Sequence, residues 1–251
     1  EFRMLGSASS ISCANTVLNT AVAEELKQFA DALESAEDFE SALHTLIQKT
    51  IREHKRIIFN GNGYDDAWVK EAESRGLLNL KSTPDALPYL LKEKNMRLFT
   101  EHKVFSRTEL EARYEVLTEN YCKIINIEAL TMLDMARKDI LPAMSSYSDE
   151  LAAACIKKAT VSGDIDCVYE KETLKSLGSM MAAMFRQVKK LEADLLGAKA
   201  IEDITELGQY YKTTILSDMV ALRISGDEME TIASSEKWPY PSYGELLFGV
   251  R

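Results

Sequence analysis

The sequence predicts a mainly α chain: one short strand at its start, then helical hairpins, then a long antiparallel helical bundle. Three observations carry this. Leu174, Leu177, Met181, Met184, Val188, Leu191 and Leu195 recur at alternating intervals of 3 and 4, the seam of a coiled-coil-like helix. Ser106-Arg107-Thr108-Glu109 is a capping box, and it opens a run in which Leu110, Tyr114, Leu117, Tyr121 and Ile124 keep the same rhythm. The stretch Glu1–Leu5 alternates instead, with Glu1, Arg3 and Leu5 on one face of a strand and Phe2 and Met4 on the other.

Composition narrows the function classes. The 251 residues have room for one large or two small domains with a real core. Hydrophobic residues at 46% and charged residues at 28% are ordinary for a water-facing protein. A net charge of −10, with no basic run, argues against nucleic acid as a partner. No stretch approaches the ~20 apolar residues a bilayer crossing needs, so no membrane partner is expected. Cys13, Cys122, Cys155 and Cys167 are scattered without a C-x-x-C pair, which reads as reduced cytoplasmic thiols and not as a disulfide framework or zinc site. His44, His54 and His102 lack metal-ligand spacing and read as ordinary helix and loop residues.

In chain order, a small-residue loop from Gly6 to Ala14 leads into a first helix over about 15–33, with Leu18, Val22, Leu26, Phe29 and Leu33 as its apolar stripe. After a turn at Glu34–Asp38, a second helix runs to about Lys55, and the two form an antiparallel hairpin. Ile57-Ile58-Phe59 fits a brief strand or an extended connector. Asn60-Gly61-Asn62-Gly63 is the strongest turn signal in the chain; its glycine spacing matches neither a P-loop nor a dinucleotide fingerprint, so it reads as a structural loop. A short helix then ends near Gly76, which suits a left-handed C′ position. Thr83-Pro84-Asp85-Ala86 reads as a cap with proline at the first helical position.

The helix that opens at Ser106 carries its stripe on through Ile127, Leu130 and Leu133 to about Lys138, and Pro142 should kink or end it. Helix resumes to about Thr160. After the seam helix, Gly197–Ala200 breaks the run, and a last long helix carries Ile204, Leu207, Tyr211, Ile215, Met219, Leu222, Met229 and Ile232. The tail Trp238-Pro239-Tyr240-Pro241-Ser242-Tyr243 should be extended, with its aromatics docked on the protein.

Chemistry gathers at the start. An acid and a base on one face of an apolar strand fit either a polar edge strand or a pair facing a partner, a metal or an ionic substrate. The first strand also reads as cut from a longer polypeptide. Strand, small-residue loop, Asn15 and helix together resemble the end of a glutamine synthetase catalytic domain. The stretches Arg56–Tyr64 and Trp238–Phe248 resemble the large, type III branch of that family, and the resemblance covers essentially the whole chain as a C-terminal portion. It implies that Glu1 ligates an active-site Mg²⁺ or Mn²⁺, a hard cation suited to an oxygen ligand. It implies that Arg3 binds the glutamate substrate, as a guanidinium fork suits a carboxylate. Residues 1–105 would then end the catalytic domain, and 106–251 would form the helical bundle and tail. The family joins glutamate and ammonia with ATP and forms ring-shaped homo-oligomers. The remaining metal ligands and nucleotide-binding parts would lie upstream of Glu1, so this chain alone should be inactive.

Without the resemblance, residues 106–233 read as a non-enzymatic helical module for protein interaction or oligomerisation. A metal- or haem-binding bundle is disfavoured, because the Glu-x-x-His ligand pairs of such bundles are missing.

Overall fold

The computed structural model describes residues 10–249 and divides the chain into two compact units, Glu1–Val116 and Leu117–Arg251. The expected strand at Glu1–Leu5 lies outside the described residues. Among the described residues the chain is helical with no strand.

In the first unit, α1 (Ile11–Leu33) begins a turn earlier than its apolar stripe suggests, because Ser10 caps it by accepting from the Ser12 N–H at 3.2 Å. Asp38 caps α2 (Phe39–His54) in the same way, accepting from the Ser41 N–H at 3.2 Å. The two pack as the expected hairpin, with α5 (Glu93–Glu101) also against α1. The stripe of α1 is only partly covered: Leu18, Phe29 and Leu33 are half-buried, while Val22 and Leu26 are exposed. The residues α1 buries fully are the small Ala14 and Thr20. Ile58 and Phe59 are an extended connector after a 3₁₀ turn at Lys55–Ile57, and α3 (Asp66–Ser74) follows. Gly76 does take up positive φ, at 75°. Ser82, one residue earlier than expected, stands at the N-cap position of α4 (Thr83–Ala86) without a side-chain cap, its hydroxyl donating to Asp85 Oδ2 at 2.7 Å, and Pro84 lies in the first turn. A small core of Met96, Phe99 and Leu110 forms where α5 meets the start of α6 (Arg107–Asp134). The capping box there is complete: the Ser106 N–H donates to Glu109 Oε2 at 2.7 Å, and the Glu109 N–H donates to Ser106 Oγ at 3.2 Å.

The second unit holds the main core. Helix does not stop at Pro142. It continues from α6 through a π-helical segment, Met135–Ile140, into α7 (Leu141–Val161). Pro142 has no N–H and would crowd the carbonyl one turn back. In the widened turn the Leu141 N–H reaches Ala136 O, five residues back, so the proline is absorbed without ending the helix.

Helix α8 (Val168–Ala198) buries the seam as expected, with Leu177, Met184, Val188 and Leu191 at zero exposure. Full burial of such side chains contributes about 1.5–3 kcal/mol each. The last long helix is α9 (Ile204–Tyr210), a π turn at Tyr211–Ile215 and α10 (Leu216–Ile232), which place Tyr211, Ile215, Met219, Leu222 and Met229 in the same core. Helix α8 packs against both α7 and α10.

The stripe expected on α6 holds at Leu110, Tyr114 and Leu133, which are buried, and fails between them. The inner side of α6 carries Thr118, Cys122, Ile125, Ala129 and Leu133, while Leu117, Ile124, Ile127 and Leu130 face outward. The two faces are one residue, about 100°, apart. Thr118, Cys122 and Ala129 carry little apolar signal, so a reading by hydrophobicity slips onto the adjacent row of large side chains.

The tail docks in part. Trp238 and Tyr240 pack on the core, but Tyr243 is exposed, and it opens a short helix, α11 (Tyr243–Phe248), with a Ser242/Glu245 capping box. The tail is therefore not extended throughout. Proline excludes helix up to 241 only, and Ser242 can then start one.

Candidate functional site

The two residues the sequence singles out, Glu1 and Arg3, lie outside the described residues.

The Asn60–Gly63 loop is held by its own neighbourhood. Asn62 Oδ1 accepts from the Tyr64 N–H at 3.1 Å, and Asp65 caps α3 by accepting from the Ala67 N–H at 2.9 Å. Phe59 stacks on Trp68 with centroids 3.7 Å apart, and the Arg75 guanidinium sits 5.4 Å above the Trp68 ring. Arg75 Nη1 also donates to the Arg56 and Ile58 carbonyls at 3.3 and 3.2 Å. These groups satisfy one another, as a structural loop requires.

A cleft of about 690 Å³ in the first unit is lined by Glu24, Glu25, Glu93 and Glu101 with Lys94 and Arg97. His102, read from sequence as an ordinary residue, meets Glu24 there at 2.7 Å. Hydrogen bonds from Gln28 first and His102 second hold the Glu24 carboxyl below the usual range. The other cleft charges are exposed.

In the second unit, Lys190 on α8 bridges two acids, Asp218 on α10 at 2.5 Å and Asp194 one turn on at 2.8 Å. Burial first, then a hydrogen bond with Asp194, pushes the Asp218 carboxyl up, while Asp194 is held down by Asp218 and Lys190. Asp218 thus keeps a proton more readily than its partner. Both acids raise the Lys190 ammonium, and Tyr210 OH donates to the Asp194 carbonyl at 3.2 Å. The group ties α8, α9 and α10 together.

At the return from α7 to α8, Cys155, Cys167 and Glu170 present two sulfurs and a carboxylate oxygen all within 4.8 Å of one another. Cys167 and Glu170 are buried and Cys155 is half-buried. Lys158, one turn after Cys155, forms an ion pair with Glu170. That pairing holds Glu170 below the usual carboxylate range, while desolvation raises the Cys155 thiol. Sequence reasoning missed the grouping because the two cysteines are separated by the whole connector and match no spacing pattern.

Among the described residues no helix is long and apolar enough to cross a membrane. Residues 42–159 match the family described as the glutamine synthetase C-terminal domain. The chain is 40% identical over 218 residues to a glutamine synthetase of Butyrivibrio fibrisolvens, covering 86% of this chain and 31% of that protein. It is 32% identical over 259 residues to the type-3 glutamine synthetase of Dictyostelium discoideum, covering 99% of this chain and 35% of the relative. It is 28% identical over 260 residues to a glutamine synthetase of Bacteroides fragilis, with 99% and 35% covered. The chain spans about a third of the length of these relatives.

Proposed function

The chain belongs to the glutamine synthetase family, and we propose that it forms the C-terminal portion of a type III enzyme that makes glutamine from glutamate, ammonia and ATP. In that reaction ATP phosphorylates the glutamate side-chain carboxyl, and ammonia then displaces phosphate to leave the amide. The observation that supports this reading is the likeness to the Dictyostelium type-3 enzyme, which runs through 99% of the chain and so includes the bundle and the tail. On this reading residues 1–105 end the catalytic domain and 106–251 form the bundle. Glu1 ligates Mg²⁺ or Mn²⁺, and Arg3 holds a glutamate carboxylate. The parent enzyme is a cytoplasmic homo-oligomeric ring, and the chain alone makes no glutamine.

The described residues do not themselves fit the metal–nucleotide chemistry. Among them, the grouping of three potential ligands is two thiols and one carboxylate, a poor match to a hard oxygen-seeking cation. No step of the reaction is therefore drawn through them, and we assign them a scaffolding part.

The second reading, a non-enzymatic interaction or oligomerisation module, is favoured by the row Leu117, Ile124, Ile127 and Leu130 on α6, all exposed, with Leu196 of α8 exposed beside a groove of about 840 Å³. In the enzyme reading the same row is an assembly contact.

Glutamine formation by the full-length enzyme carrying Glu1→Gln or Arg3→Ala, titrated with Mg²⁺ and with glutamate, separates the two. The enzyme reading expects weakened metal dependence in the first variant and a raised glutamate KM in the second. Unchanged kinetics in both would remove Glu1 and Arg3 from the active site and bring the module reading forward. ATP-dependent glutamine formation by the isolated chain would overturn its assignment as an incomplete part.

A further inference from the structure

We propose that Cys155, Cys167 and Glu170 form a binding site for a zinc-class divalent cation, independent of the synthetase metals. Three potential ligands converge from two helices: Cys155 from the last third of α7, Cys167 at the cap position of α8 and Glu170 from the first turn of α8. Their donor atoms already lie within 4.8 Å of one another. Tetrahedral zinc with sulfur at ~2.3 Å places two thiolates roughly 3.8 Å apart, so closing onto the ion needs side-chain adjustments of about 1 Å or less. Two thiolates and a carboxylate are a soft-to-borderline donor set that selects zinc over magnesium or calcium.

Burial favours the same conclusion. Cys167 and Glu170 have 4% and 7% exposure, so bulk water competes poorly for an ion held there. Cys155 is only half-buried, which leaves an entry path and a fourth coordination position open to water. Charge is matched by Lys158. Two thiolates, one carboxylate and a divalent cation sum to −1, and the ammonium already paired with Glu170 supplies the balancing +1. The Lys158 side chain is 41% exposed, so it can yield one carboxylate oxygen to the ion without being trapped. Binding deprotonates both thiols and releases two protons to solvent, with no change of oxidation state. Its structural effect is to pin the connector between α7 and α8, because the ligands stand on either side of Ser162–Asp166.

The test is cobalt substitution in the reduced protein. One equivalent of Co²⁺ should give thiolate-to-cobalt charge-transfer absorption in the near ultraviolet and tetrahedral bands in the visible, both displaced by Zn²⁺. Oxygen and imidazole ligands at a synthetase active site give no such charge transfer, so failure here is distinct from failure of the enzyme reading. Cys155→Ser and Cys167→Ser should each lose the absorption, and Glu170→Gln should retain it with weaker binding. An alkylation map of the unaltered protein serves if a variant does not fold: Zn²⁺ should protect Cys155 and Cys167 while exposed Cys13 is labelled at the same rate. Absence of the charge-transfer band in the unaltered protein, its survival in the Cys155→Ser/Cys167→Ser double variant, or equal labelling with and without zinc would overturn the site.

Discussion

Tyr240 donates its hydroxyl to Asp139 across 2.9 Å, joining the proline-rich tail to the π-helical segment that absorbs Pro142. Burial first and Asp139 second push the Tyr240 hydroxyl up to about 12. A phenol raised in the folded state stabilises fully below its unfolded value near ~10, and that stability is lost as pH rises towards the folded value. Tyr240→Phe should therefore cost about 1 kcal/mol at neutral pH and progressively less above pH ~10. Trp238, edge-on to Tyr240 at 6.2 Å and half-buried on the core, should cost about 2 kcal/mol as Trp238→Ala. Urea unfolding followed by far-ultraviolet circular dichroism measures both. Equal stability of Tyr240→Phe and its parent at neutral pH would mean that the tail docks through its rings alone.

Two adjacent isoleucines decide which face of α6 is the inner one. Ile124 is 57% exposed and Ile125 is 5% exposed in the main core. Ile125→Ala should lose about 2–5 kcal/mol, through lost burial and the cavity left behind. Ile124→Ala should stay within about 0.5 kcal/mol. Denaturant midpoints of the two variants are the check, and a reversal of their order would restore the stripe read from sequence. In an oligomeric parent enzyme, Ile124→Ala should instead weaken assembly, which sedimentation reports separately.

The contrast between α6 and α8 shows what was legible. The α8 seam is built from large apolar side chains on one face, so its spacing and its burial coincide. On α6 the inner face mixes Ile125 and Leu133 with Thr118, Cys122 and Ala129, whose weak apolar signal leaves hydrophobicity alone pointing to the outer row instead. Pro142 carries a strong stop signal, yet tertiary packing on both sides keeps the helix going by inserting a π turn. The capping boxes at Ser106 and Ser242 are local chemistry; the first was read directly and the second was hidden by neighbouring prolines. The thiol–carboxylate grouping depends on the return of α8 along α7, which no spacing rule within either helix encodes. Glu1 and Arg3 were singled out by charge on an apolar strand, and kinetics of the full-length enzyme is what tests them.

The Lys190 group makes stability depend on pH in two opposed ways. Asp218 is raised by burial, so its contribution is present below the unfolded carboxylate value and falls as pH climbs through the folded one. Asp194 is lowered, so its contribution is present above the unfolded value and is lost as pH falls through the folded one. Asp218→Asn should therefore gain stability relative to the parent chain between pH 3 and pH 7, because the amide never has to ionise in the core. Lys190→Met should do the opposite, losing most at pH 7, where both acids are left without their cation. Urea midpoints at the two pH values give the signs. A pH-independent difference for both variants would show that the three charges do not interact.

The Asn60–Gly63 loop is closed by side chains and not by glycine geometry, which can be tested by opening it. Arg75 presents one face of its guanidinium to Trp68 and donates Nη1 to two carbonyls on the far side of the loop. Lysine keeps the charge but has neither the planar face nor the fixed fork. Arg75→Lys should therefore loosen the loop, and Trp68→Ala should do so further by removing the surface on which Phe59 stacks. The readout is chymotrypsin cleavage at Phe59 and Tyr64, the latter 79% exposed. Faster cleavage at Phe59 in both variants, with Tyr64 cut at the same rate as before, is the expected pattern, since only Phe59 is shielded by the stack. Unchanged cleavage at Phe59 would mean that the loop holds its shape through the Asn62 turn and the Asp65 cap without Arg75 or Trp68.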